Sequence, residues 1–236
     1  LFSKVNGVSK NVDDYMQKVN VLAQCKNTLF IKKLPMSKMK KVKNICRIYS
    51  SILDNKGEID KNRLLSSEHW KYRGLKPSLQ LACTDRIIAL CSLPDLWKYK
   101  NFKVKMNLSL FDKIKNYFLF YNDYKGKDEY FMKVSTFQVL MNLNENFIEL
   151  LQNFDYPMAI PKIVIYNNGD SNGFSFSDAV TLMFMNSMGV DVIIFNPSGM
   201  SDIENFVNET FYDSHMLDQI GVKVPYKKSG FFGGIF

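Results

Sequence analysis

At 236 residues, with 46% hydrophobic and 14% aromatic side chains, 12 glycines and 7 prolines, the chain has material for one large or two small domains; collagen-like, low-complexity and globally disordered polymers are excluded. Lys and Arg number 31 against 23 Asp and Glu, a net charge of +8, which favours acidic partners without naming one. The excess is polarised: residues 1 to 105 hold 22 basic and 8 acidic side chains, net +14, and residues 106 to 236 hold 9 and 15, net −6.

The chain opens Leu-Phe-Ser, with neither a methionine nor a charged-then-apolar leader, and reads as a fragment or a processed product. Tyr15, Val19, Leu22 and Ala23 recur at helical spacing and lead into a short strand-like run, Thr28 to Ile31. From Ser37, a plausible N-cap, Met39, Val42, Ile45, Cys46, Tyr49, Ile52 and Leu53 mark a helix that ends at the turn Asp54 to Gly57. Its other face is basic, with Lys38, Lys40, Lys41, Lys43 and Arg47. Together with Lys26, Lys32 and Lys33 these cations suit a polyphosphate, nucleic acid or anionic surface, or simply a solvated face. Aromatic residues do not alternate with them, so nucleic acid is possible but not favoured. Pro77 is placed as a first helical residue before Leu79, Ala82, Cys83, Ile87, Leu90 and Cys91. Leu110, Ile114, Tyr117, Phe118 and Tyr121 form a third stripe, and Phe137, Leu140, Met141, Phe147, Ile148 and Leu151 a fourth.

The last third changes character. Lys162 to Tyr166 is β-branched and apolar, as a strand buried on both faces should be. A polar loop, Asn167 to Gly173, precedes a helix from about Phe176 to Met188, closed by Gly189, and Val190 to Phe195 supplies a second buried strand. After the turn Asn196 to Gly199, Ser201 and Glu204 have the spacing of a capping box for another helix. Strand, helix, strand in this order makes a right-handed crossover and a parallel pair. The expected fold is α/β, with a basic, helix-rich N-terminal portion (1–105) and a small parallel, Rossmann-like sheet in the C-terminal portion (106–236).

In such sheets ligands bind beyond the carboxyl ends of the strands. The loops starting at Asn167 and Asn196 meet that description, and Asn167, Asn168, Asp170, Ser175, Asn196, Ser198 and Gly199 are the candidate ligand contacts. Turn and cap chemistry explains the same residue types equally well. A phosphorylated or nucleotide-bearing metabolite held between the two portions is the leading expectation, with group transfer from a nucleotide-activated donor as the chemistry if the protein is an enzyme. Asp170 and His69 are then the first acid or base candidates, with His215 behind them. No Walker-type loop, G-x-G-x-x-G, G-x-S-x-G or H-E-x-x-H occurs, and the cofactor is unspecified. Cys25, Cys46, Cys83 and Cys91 lack the spacing of a metal site and read as reduced core thiols, which points to the cytoplasm. No run reaches the roughly 18 apolar residues of a spanning helix. The tail from Lys227 to Phe236 packs on its own domain or docks elsewhere.

Pro161 to Asn168, Phe176 to Ala179 and Val192 to Gly199, together with Trp70, Gly74, Leu75, Lys76 and Pro77, resemble the YceG-like family of Firmicutes. Members of that family are longer, so the chain would be a C-terminal part. The resemblance implies a component of a biosynthetic module encoded beside TerD-type tellurite-resistance genes, a stress-response setting, and other proteins of that locus as partners. It supplies no catalytic residue. A non-enzymatic adaptor of the same system is the alternative.

Overall fold

The computed structural model describes residues 1–36, 42–98, 124–153, 160–169, 173–221 and 223–228. In chain order the elements are β1 (Phe2–Asn6), α1 (Val12–Ala23), β2 (Thr28–Ile31), α2 (Ile45–Ser51), α3 (Lys61–Ser66), α4 (Pro77–Ser92), α5 (Tyr124–Leu140), α6 (Glu145–Gln152), β3 (Lys162–Tyr166), α7 (Phe176–Ser187), β4 (Asp191–Asn196) and β5 (Asp213–Met216). The strands form one sheet in the order β2-β3-β4-β1-β5, and every neighbouring pair is parallel. The chain is therefore α/β. The expected pairing of the two apolar runs is present, with Ile163 opposite Val192 and Ile165 opposite Ile194.

Alternation along the strands feeds two cores. Phe2, Ile163, Ile165, Val192 and Ile194 pack with α4, α5 and α7, while Val164, Tyr166 and Phe195 pack with Tyr15, Met16 and Val19 of α1. Helices thus cover both faces, which is why β3 and β4 read as nearly unbroken apolar runs. Each methylene taken from water in these cores is worth about 0.8 kcal/mol.

The sheet is not confined to the C-terminal portion, as the sequence suggested. β1 and β2 come from the first 31 residues, and β1 lies between β4 and β5. Polarity hid β1: Ser3, Lys4 and Asn6 are all buried in it. β5, Asp-Ser-His-Met, is an exposed edge strand with no apolar pattern to read.

Three helix expectations change. α2 starts at Ile45, after Asn44 in a left-handed conformation (φ +59°); Ser37 and Met39 lie outside the described residues, as does the stripe from Leu110 to Tyr121. The fourth stripe belongs to two helices, α5 and α6, because the Asn144 side chain accepts from the Asn146 N–H and starts a new one. Among the described residues no α-helix follows Ser201. Two short 3₁₀ turns stand there, Ile203–Asn205 and Glu209–Phe211, since the Glu204 carboxylate is drawn away to Lys4. The capping box sits instead at the start of α7, between Ser175 and Asp178. Pro77 does open α4, and Gly189 follows α7 at φ +97°. Among the described residues no helix is long and apolar enough to cross a membrane.

Candidate functional site

The parallel register sends the loops after β3 and β4 out of the same sheet edge, and they touch. A Cβ on Gly169 (φ +76°) would lie 3.2 Å from Met200 Sδ and 3.4 Å from Ser198 Oγ. The β1–α1–β2 connection covers one face and the β4–β5 connection the other. β4 and β1 therefore flank the point where the chain diverges, the usual position of a ligand crevice.

Asp202 organises this edge. Its buried carboxylate takes Lys4 Nζ at 2.8 Å on one oxygen, and the Nδ2 groups of Asn196 and Asn167 at 2.7 and 3.1 Å on the other. Lys4, 1% exposed, also donates to both oxygens of Glu204 at 2.6 and 2.7 Å. Burial pushes the Asp202 carboxyl above its ordinary range despite the ammonium beside it. Burial alone would lift Glu204 too, but its bonds with Lys4 and Asp202 outweigh that and hold it low.

Most of the loop residues picked from the sequence are used in this framework. Asn167 and Asn196 join the two loops through Asp202. The Ser198 hydroxyl donates to Asn196 Oδ1 at 2.8 Å, and Ser175 caps α7. Asn168, Ser198 and Gly199 stand half-buried at the rim, and Asp170 lies outside the described residues. The segment after β5 crosses the exit of β1: Leu217 N–H donates to the Asn6 carbonyl at 2.8 Å, and Val8 pairs with Gln219. Lys4, Asp202 and Glu204 were not legible as a group. Their signal was a single lysine in a five-residue run and two acids spaced by one, nearly 200 positions away.

A second concavity lies between α2 and α3. It is an open concavity of about 580 Å³, within the roughly 300–1,000 Å³ of small-molecule sites. Lys43, Arg47, Arg63, Ser51, Ser66, Ser67 and His69 line it above the apolar side chains of Ile48 and Ile52, with Glu68 as its acid. Local sequence sets this geometry. Asp60 caps α3 by accepting from Arg63 N–H at 2.9 Å, Asp60 N–H ties back to the Ile52 carbonyl at 2.8 Å, and the Arg63 guanidinium donates to the Leu53 carbonyl. Lys43 and Arg47 are exposed and, among the described residues, neither meets an acidic partner. His69 Nε2 lies 3.5 Å from Glu68 Oε1. Of the residues singled out as acid, base or ligand contacts, His69 lines this cleft; Lys43 and Arg47 belong to the basic face that the sequence flagged. His215 stands exposed on β5. All four cysteines are free, and among the described residues no three His, Cys, Asp or Glu side chains gather in a metal-holding group.

Residues 1–228 match the model of the YceG domain family. The chain is similar to the uncharacterized protein YceG of Bacillus subtilis (strain 168), 31% identical over all 236 residues, and spans 39% of that protein's length. No solved structure matches it. The chain belongs to the YceG domain family.

Proposed function

We propose that this YceG-domain chain binds a phosphate-bearing small molecule in the cleft between α2 and α3, with Lys43, Arg47 and Arg63 as its anion contacts. The observation that carries this is the gathering of three exposed cations around one open concavity that has a single carboxylate in its lining. All three side chains are exposed to water, but they do not point away from one another across a flat face. Here they line a concavity, where a low-dielectric wall focuses their field. Arginine forks match phosphate oxygens in pairs, and the hydroxyls of Ser51, Ser66 and Ser67 add neutral donors. The two-faced parallel sheet, read as Rossmann-like, then serves as the scaffold against which the helical flank is packed. A cytoplasmic Ter-type stress-response module is the setting adopted, on the strength of the family resemblance.

Titration calorimetry with inorganic pyrophosphate tests the reading. Arg47→Gln and Arg63→Gln should each weaken binding about tenfold, or about 1.4 kcal/mol, and affinity should fall steeply with added salt. Affinity that ignores both substitutions and salt would sink it.

A further inference from the structure

The basic cleft does not end at its cations. A smaller cavity of about 220 Å³ adjoins it and shares Ile48, Glu68 and His69 with it. The character of the lining changes across that seam. On the far side are Val42, Ile45, Trp70, Phe137 and Met141, with Lys71 and Asn142 as its polar members. Phe137 and Met141 are buried, and the Trp70 ring packs on Tyr72 with centroids 4.8 Å apart, so these side chains form a packed apolar part of the far wall, with Lys71 beside it. Asn142 Nδ2 donates to the Gln138 carbonyl at 2.8 Å, and its Oδ1 has no partner among the described residues.

From this juxtaposition we infer that the preferred ligand is a nucleotide: phosphates among Lys43, Arg47 and Arg63, ribose at the seam beside Glu68, and base in the apolar compartment. The inference rests on the anion reading of the larger cleft and names its substrate class. Glu68 gives the ligand a direction. A carboxylate, even one as exposed as Glu68, repels phosphate but accepts hydrogen bonds from sugar hydroxyls, so a diol is favoured at the seam and the phosphates toward the three cations of the larger cleft rather than the single Lys71 of the smaller. A sugar phosphate would leave the apolar compartment unfilled. A prenyl or acyl phosphate would have to lay its first methylenes against Glu68 and His69 and end at Asn142. A flat heterocycle satisfies the apolar walls with its faces and Asn142 with its edge.

The test compares ADP, inorganic pyrophosphate and farnesyl pyrophosphate by calorimetry on the whole chain. ADP should bind about tenfold tighter than pyrophosphate, the gain expected from seating one base. Val42→Trp, which fills the smaller compartment from a partly buried position, should bring ADP down to the pyrophosphate level and leave pyrophosphate unchanged. Asn142→Leu should do so in part, and unfolding curves of both variants report whether they fold. Pyrophosphate binding with no gain for ADP overturns the nucleotide inference and spares the anion reading. Tighter binding of farnesyl pyrophosphate than of ADP overturns it in favour of a lipid phosphate. No binding of any of the three removes both.

Discussion

Lys4 is the residue whose environment departs furthest from its chemistry. An ammonium buried in a parallel sheet is tolerable because two carboxylates reach it, and one of them, Asp202, is itself held by two asparagines. Removing one member leaves the rest uncompensated. Lys4→Met should cost about 3 kcal/mol or more in urea unfolding, because Asp202 keeps its burial and loses its counter-ion. The double variant Lys4→Met, Asp202→Asn should recover part of that loss, since it removes the stranded charge. No difference between single and double variants would show that the lysine acts through packing alone. The interaction fixes the β4–β5 connection on β1 and so decides which face that connection covers.

At the scale of elements, the caps determine where the helices begin. In α7 the Ser175 hydroxyl accepts from Asp178 N–H at 3.2 Å, and Asp178 Oδ2 accepts from Ser175 N–H at 2.8 Å. Asp178 Oδ1 also accepts from Met36 N–H at 2.7 Å, so one carboxylate caps a helix and anchors the segment after β2. Burial pushes this carboxyl up even against the hydrogen bonds that favour its charged form. Ser175→Ala should cost about 1 kcal/mol, the usual value of an N-cap, and Asp178→Ala about 2 kcal/mol because it also frees Met36. Equal losses in thermal unfolding would mean that the bond to Met36 contributes nothing. The same element-level control shapes the proposed cleft, since the Asp60 cap orients α3 and Arg63 with it.

Over the whole molecule, buried groups that must stay neutral set the alkaline limit. Burial lifts the Cys83 and Cys91 thiols from an ordinary value near 9 to about 12, and the Tyr72 hydroxyl also rises well above its usual range because it is buried. An acid with a raised folded-state pKa contributes stability that is complete below the unfolded pKa and lost as pH climbs toward the folded one. Stability should therefore decline from about pH 9 toward 12, by roughly 1.4 kcal/mol per pH unit for each thiol. A Cys83→Ala, Cys91→Ala variant should show a shallower alkaline limb in urea unfolding measured at stepped pH. An equally steep limb would mean that neither thiol stays protonated in the folded state.

What the sequence determined by itself is the β3–α7–β4 unit and the start of α4. Apolar runs of strand length, a helical stripe, Pro77 and Gly189 are signals within a few residues of the structures they specify, and no distant partner is needed to read them. The basic face was legible for the same reason, as a cluster of like residues at short range. What only the tertiary structure decided is how polar residues are used. Nothing near Asn167 and Asn196 in sequence shows that they hold two loops together, because the group that joins them is Asp202, 35 and 6 positions away. β1 was hidden because Lys4 is a strand-core residue only when Glu204, 200 positions later, folds back onto it. The cleft likewise needs α2, α3 and the loop at His69 to converge before its cations line a common concavity. Local patterning reports where apolar surface goes; the burial of a charge is settled by partners that only the folded chain brings near.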